Sequence, residues 1–243
     1  MVSQTDIDYI NRVVEEGLSQ DGVKLDLKGK FLGNDAIPPL LLCPQLQSIE
    51  NLDLTKNNIT WRGARHLFSY GKMKSLKRLY IGENELDDRG IRYFVQSPFV
   101  TQLVNLDLRY TGIGKDGGTL IAKSDRFKKL QVLILQENET GDETVRELCA
   151  NKTFGNLRKL NIYKSKVTDE GVKALAKARY LKKLKYLNLA RNVIRKPGAL
   201  ALASAKHLVS LEILMMFDTF IGEEGERALL EANAFQLKTL RLT

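Results

Sequence analysis

The residues that could do chemistry in this sequence are two histidines, two cysteines and one glycine-rich segment. His66 and His207 lie about five units apart in the repeating pattern described below, too far to share a metal ion or a proton once those units stack in order. Cys43 and Cys149 lack a second residue at the spacing of a metal site, and a cysteine nucleophile needs a base nearby. These residues predict no metal centre and no catalytic pair.

The glycine-rich segment, YTGIGKDGGTL at residues 110–120, has the composition of a phosphate-binding loop. It does not match G-x-x-x-x-G-K-[ST], the spacing that lets backbone amides surround a phosphate. Its glycines instead fall on turn positions that recur along the chain. We therefore predict a structural turn, no cofactor and a non-enzymatic protein.

A period of 27 residues organises the chain. Steps of 27 from Leu25 reach a leucine seven times, ending at Leu214, and a step of 26 then reaches Leu240. The residue two positions after each of these leucines is apolar, and so is the residue three positions before it in every copy but the first. Glycine and apolar residues at helical spacing complete most copies. Each copy therefore predicts a short strand, a turn and a helix.

One such copy cannot bury its own apolar face, so the copies must stack with their strands in one parallel sheet. The corner after each strand is predicted to hold a ladder of short polar side chains that bond to the backbone. Its members are Asn57, Asn84, Thr111, Asn138, Ser165, Asn192 and Thr219. Recurring acids near the helix starts are predicted to be solvated turn charges and first-turn charges favoured by the helix dipole. They are Asp87, Asp88, Asp169 and Glu170.

The pattern resembles the leucine-rich repeat family and, within it, the ribonuclease-inhibitor-like subclass, whose copies continue as in NELDDRGIRYF and SKVTDEGVKAL. The resemblance covers residues 22–243. It implies an α/β fold: a right-handed, curved solenoid of about nine repeats, with the parallel sheet on the concave face and helices on the convex face. It also implies protein–protein binding through the concave face, as in inhibitors, adaptors and pathogen proteins.

The sequence predicts a single domain over residues 1–243. An apolar stripe in residues 1–21 predicts a helical cap, with Thr5 and Asp8 placed like a capping box. Repeats fill residues 22–243, and no C-terminal cap follows the last predicted strand before Thr243. An uncapped parallel strand can pair with another chain, so we expect a monomer or a dimer through that edge.

The strand residues between the leucines are predicted to face outward on the concave side. They are polar and mixed in charge in the first repeats, and apolar and aromatic in the later ones. Tyr163, Tyr186 and Phe217 are expected to form one nearly continuous aromatic platform, because rungs of a sheet lie about 4.8 Å apart. The predicted partner-binding residues are Tyr80, Arg109, Tyr110, Val132, Ile134, Lys159, Tyr163, Lys164, Tyr186, Arg191, Ile213, Met215, Phe217 and Asp218.

The formal charge is +9, and many basic residues precede the predicted strands. They form a predicted basic rim of Lys74, Lys77, Lys128, Lys129, Arg158, Lys182, Lys183 and Lys185. The rim either keeps the protein in solution or steers an acidic protein partner. A nucleic-acid-binding arc is disfavoured, because the concave face includes several acids and no platform of aromatic and basic residues.

These observations predict a recognition scaffold for a protein, such as an inhibitor or regulator of an enzyme or a pathogen effector-type protein. The competing prediction is the repeat or sensor module of a longer signalling or adaptor protein. No apolar run is long enough to span a membrane, and the N-terminus does not have the order of a secretory signal. We therefore expect no membrane partner and a cytoplasmic location, with export by a route without a cleaved signal left open.

Overall fold

A single parallel sheet runs the length of the chain in the computed structural model, which describes residues 3–232, 235 and 237–242. In this part of the chain the strands pair in sequence order, and each middle leucine pairs with the next, from Leu25 with Leu52 to Leu214 with Leu240. The predicted register is thereby confirmed. The strands are Lys24–Asp26 (β1), Asn51–Asp53 (β2), Arg78–Tyr80 (β3), Asn105–Asp107 (β4), Val132–Ile134 (β5), Lys159–Asn161 (β6), Tyr186–Asn188 (β7), Ile213–Met215 (β8) and Thr239–Arg241 (β9).

Helices alternate with the strands and pack side by side. They are Gln4–Gly17 (α1), Ile37–Leu40 (α2), Trp61–Tyr70 (α3), Asp87–Phe94 (α4), Lys115–Lys123 (α5), Gly141–Ala150 (α6), Asp169–Ala176 (α7), Lys196–Ala203 (α8) and Gly222–Leu230 (α9). Short 3₁₀ turns at Pro44–Gln47, Pro98–Gln102 and Lys152–Asn156 lead back to β2, β4 and β6. Each repeat is thus one strand and one return segment, as the period predicts.

The core lies between the sheet and the helices and is continuous from repeat to repeat. The middle leucines of β1 to β8 are fully buried in it. A row of phenylalanines, Phe68, Phe94, Phe127 and Phe154, runs along it with ring centroids 5.0, 5.9 and 6.2 Å apart. Burial of such rings is a large apolar contribution to stability. The row ties four consecutive repeats together.

The polar ladder at the corner after each strand is confirmed. The side-chain amide of Asn138 donates to Leu108 O at 2.8 Å, and its oxygen accepts from the backbone N–H of Thr111 and Ile113. Asn84 and Asn192 make the same three bonds to the backbone of the repeat that precedes each of them. These side chains satisfy buried backbone groups, so their role is structural.

A second ladder, which the sequence analysis missed, joins the helix starts. Asp88 accepts from Gly114 N at 2.7 Å, Asp142 from Thr168 N at 2.7 Å, and Asp169 from Arg195 N at 2.7 Å. Each carboxylate therefore caps the helix of the following repeat, where unpaired N–H groups attract negative charge. Asp88 and Asp169 lie in the first turns of their helices, as predicted, but they are half-buried caps and not solvated charges. Glu170, from the same prediction, is exposed.

The predicted N-terminal helix is confirmed as α1, which buries Ile10, Val13 and Val14 against the first repeat. Its capping box is formed by Ser3 and Asp6, three residues apart like the predicted pair but two residues earlier in the chain. The helix begins there because the Ser3 hydroxyl and the Asp6 carboxylate accept hydrogen bonds from each other's backbone N–H groups. At the other end of the chain, Thr243 lies outside the described residues.

Candidate functional site

The side of the sheet away from the helices, called the open face below, carries the first and third residue of each strand. Their side chains point away from the buried leucines between them. Of the predicted binding residues, this places seven on strands: Tyr80, Val132, Ile134, Lys159, Tyr186, Ile213 and Met215. The other seven follow directly after strands, on what we call the carboxyl rim: Arg109, Tyr110, Tyr163, Lys164, Arg191, Phe217 and Asp218. The fold thus brings all of them to one face and its border.

The carboxyl rim is shaped by a left-handed backbone position that recurs in successive repeats. Non-glycine residues rarely adopt a positive φ, yet Tyr110, Glu137, Lys164 and Arg191 have φ between 47° and 55°. The stacking of repeats imposes this turn, because the backbone N–H of the positive-φ residue donates to a carbonyl of the next repeat. Lys164 N, for example, donates to Ala190 O at 2.9 Å. The residue types differ between repeats, so the side chains are free to set what the rim recognises.

The third residue of several strands has a structural task that sequence reasoning missed. Asp53, Asp107, Asn161 and Asn188 each accept from the backbone N–H two residues later, at 2.8 to 3.1 Å. Such local bonds fix the turn after the strand. Three of them, Asp107, Asn161 and Asn188, are also buried although they face outward. The accessible part of the open face is therefore smaller than strand alternation alone predicts.

An aromatic cluster, formed by Tyr163, Phe217 and Arg191, covers Ala190 on the later repeats. The two rings come from repeats that are not adjacent, and their centroids are 6.2 Å apart because the small Ala190 lies between them. The guanidinium of Arg191 lies 5.8 Å from the Tyr163 ring centre and pairs with Asp218 at 2.8 Å. That pairing, together with the Tyr163 ring, raises the pKa of Arg191. The cluster offers apolar surface beside an anchored cation.

The expected aromatic platform is only partly realised. Tyr163 and Phe217 touch, but Tyr186 lies at the other end of its strand and packs against Lys159, whose ammonium is 4.6 Å from the ring centre. The reason is that Tyr186 is the first residue of β7, whereas Tyr163 and Phe217 follow β6 and β8. The later repeats therefore present two aromatic contacts, one at each end of the strands.

A polar cluster of Asp107, Arg109 and Gly82 occupies the middle repeats. Asp107 is only 2% exposed, and Arg109 Nη2 lies 3.1 Å from its carboxylate. Burial raises the pKa of Asp107 and the charges of Asp53 and Glu83 add to the effect, against the lowering by Arg109. A Cβ on Gly82 would come within 2.7 Å of Arg109 Cγ, so the glycine lets the arginine lie flat across the face.

Two hollows line the carboxyl rim on either side of Tyr110, which is 59% exposed. One, of about 760 Å³, is bordered by Lys56, Glu83 and Arg109. The other, of about 490 Å³, is bordered by Glu139, Lys164, Lys166 and Arg191. Both are open and lined with both signs of charge, a character that suits a protein surface better than a small apolar ligand.

The cysteines, the histidines and the glycine-rich segment lie in ordinary parts of the repeat. Burial raises the pKa of Cys149 to about 12 and also raises the pKa of Cys43, so both thiols are held protonated. His66 lies on α3 and His207 in the loop before β8. Within the described residues, no group of three or more histidine, cysteine or acidic side chains could hold a metal ion. In the glycine-rich segment, Gly112 and Gly114 lie in the loop before α5, in agreement with the predicted turn. Gly117 and Gly118 are instead buried within α5, so for these two glycines the predicted turn is wrong.

Comparison with known proteins agrees with this architecture. A model of the family described as Leucine Rich repeat matches residues 156–176 and 180–203, two consecutive repeats that contain β6 with α7 and β7 with α8. No curated protein matches the chain. This match at two repeats supports a leucine-rich repeat protein, and the parallel sheet with its alternating helices is consistent with an α/β solenoid fold. The ribonuclease-inhibitor-like subclass stays a prediction. Across the part of the chain that the structure describes, every helix is too short or too polar to cross a membrane.

Proposed function

We propose that the protein is a non-enzymatic scaffold that binds a partner protein through its open face. Leucine-rich repeats generally mediate protein–protein interaction, and this fold is typically a binding scaffold. The observation that carries the proposal is a set of half-buried apolar side chains on the outward positions of β5 and β8: Val132, Ile134, Ile213 and Met215. They lie on either side of β6 and β7, whose ends carry the aromatic contacts.

The composition of this surface supports a protein partner. Aromatic residues, methionine and arginine are enriched in the cores of protein interfaces, and a few central aromatic residues carry most of the binding energy. Tyr163 and Phe217 already lie against each other, so little conformational entropy is lost when a partner covers them. An inhibitor or regulator that covers the active site of an enzyme is one form of this function, and a pathogen effector-type protein is another.

The proposal is tested by site-specific cross-linking in an extract of the native source. A photoreactive phenylalanine replaces Tyr186 on the open face in one variant and Tyr70 on α3 in another. Proteins captured from position 186 and absent from position 70 identify partners of the open face. The captured partner is then titrated against the double variant Tyr163→Ala with Phe217→Ala, which should weaken binding at least about tenfold.

A control removes two exposed aromatic side chains away from the open face. Tyr9→Ala with Tyr70→Ala, on α1 and α3, should leave affinity unchanged. Both double variants should melt close to the wild type, because none of the four side chains belongs to the buried core. Equal capture from the two cross-linking positions, or equal affinity for both double variants, would refute the proposal.

A further inference from the structure

The excess of positive over negative charge in this protein lies in one part of the solenoid. Residues 151–211 contain 15 lysines and arginines but only two acids, Asp169 and Glu170, a formal charge of +13. Because the whole chain is +9, everything outside this segment sums to −4. We call residues 151–211 the basic band. In a solenoid, consecutive residues form consecutive slabs, so the band is a zone about two rungs thick around the molecule.

Acids of the neighbouring repeats neutralise more of the basic band on one side than on the other. On the carboxyl rim, Lys164 and Lys166 pair with Glu137 and Glu139, and Arg191 pairs with Asp218. On the opposite border, where loops lead into the strands, Lys185 shares Glu212 with Lys238. We call this border the amino edge.

The other cations of the amino edge form no ion pair among the described residues. They are Lys152, Arg158, Lys177, Arg179, Lys182, Lys183 and Lys206. All seven are exposed. Repulsion between them lowers stability unless a counter-charge is bound.

The amino edge is continuous with the apolar part of the open face. Lys159, Tyr186 and Ile213 are the first residues of their strands and pair in register, one rung apart. The preceding residue in the chain is Arg158 before β6 and Lys185 before β7. A ligand that rests on Tyr186 therefore meets the cationic edge within one or two residues of chain.

We propose that the partner of the open face is an acidic protein segment. Its apolar side chains lie on Val132, Tyr186 and Ile213, and its carboxylates lie along the amino edge of the basic band. This inference rests on the proposed function and specifies the chemical character of the partner. Charge complementarity supports it, because among the described residues seven cations of the amino edge form no ion pair, whereas Glu137, Glu139 and Asp218 pair with the cations of the carboxyl rim.

A nucleic acid fits this surface less well than an acidic protein segment. Tyr186 offers one stacking plane beside Lys159. The half-buried aliphatic side chains in the same row, Val132 and Ile213, offer neither a stacking plane nor a donor for a phosphate. They do fit leucine or phenylalanine side chains of a protein. The same cations would attract any polyanion, so the test must compare the two kinds of ligand at equal charge.

The test measures binding of a fluorescein-labelled peptide in which a run of Asp and Glu precedes a Leu-Phe anchor, by anisotropy at low and physiological salt. Three other probes accompany it: the peptide with Ser in place of Leu and Phe, a single-stranded oligonucleotide of the same charge, and phosphatidylserine vesicles. The wild type should bind the anchored peptide most tightly. Lys182→Glu with Lys183→Glu should weaken that binding about tenfold and reduce its salt dependence.

The matched control is Lys72→Glu with Lys74→Glu, which changes the net charge equally in a similar exposed loop before β3, outside the basic band. It should leave peptide binding within about twofold of the wild type. The inference is overturned if both double variants lose binding equally, if the anchor makes no difference, or if the oligonucleotide or the vesicles bind more tightly than the anchored peptide. The proposed function fails separately, because it depends on Tyr163 and Phe217 and not on Lys182 and Lys183.

Discussion

Replacing Asn138 by leucine tests whether the polar ladder holds the stack together. Leucine has the same number and branching of side-chain heavy atoms as asparagine, so the change removes hydrogen bonds without opening a large cavity. The Asn138 oxygen is the acceptor for the backbone N–H of Thr111 at 3.1 Å and of Ile113 at 3.0 Å. The carbonyls that the Asn138 amide contacts keep other donors: Thr111 Oγ1 for Leu108 O and Ser165 Oγ for Leu135 O.

The expected cost follows from those two N–H groups. A buried donor left without a partner costs about 1–3 kcal/mol, so the pair costs about 2–6 kcal/mol. The apolar side chain gained in a buried site offsets about 1–2 kcal/mol of this. The net loss in free energy of unfolding is therefore about 0–5 kcal/mol, with the middle of the range near about 2.5 kcal/mol. That middle value corresponds to a fall of roughly 1 M in the urea midpoint.

Urea unfolding followed by circular dichroism measures this loss. The control is Glu139→Leu, the neighbouring residue, whose carboxylate is 67% exposed and pairs with Lys166 on the surface. Exposed ion pairs contribute little, so the control should change stability by no more than about 0.5–1 kcal/mol. Equal midpoints for the two variants would show that the buried amide does not support the corner, and the account of the ladder would be wrong.

Two further predictions concern single residues. Burial holds the pKa of Asp107 above its ordinary 3.8. The folded state therefore binds this proton more tightly than the unfolded state, and the free energy of unfolding falls as pH rises from 3.8 through the folded pKa. Asp107→Asn should flatten that decline in urea titrations at several pH values, and it should melt no lower than the wild type at about pH 7. Gly171→Ala would place a Cβ 2.5 Å from Asp142 Oδ1 and should cost about 1–3 kcal/mol by urea unfolding, whereas Gly155→Ala, with its nearest neighbour 3.7 Å away, should change stability by less than about 1 kcal/mol.

Among the features that sequence could predict, those set by the 27-residue period were right. The pairing of Leu25 with Leu52 and the corner role of Asn138 both follow from phase alone, because each copy meets the next in the same register. Capping of one helix by the preceding repeat was missed. Asp88 and Asp142 look like ordinary first-turn acids in the sequence, and only stacking places their carboxylates against the N–H groups of the next helix.

Among the candidate binding residues, the sequence by itself determined which side chains point outward, because alternation along a strand is local. It also determined how much charge residues 151–211 carry. Only the tertiary structure decided which of those side chains remain accessible. Tyr163 reaches Phe217 across the small Ala190, and Arg109 lies over Gly82 and covers Asp107. Each of these contacts joins side chains from different repeats. Whether they form depends on the size of the residue that lies between them, and the 27-residue period does not set that size.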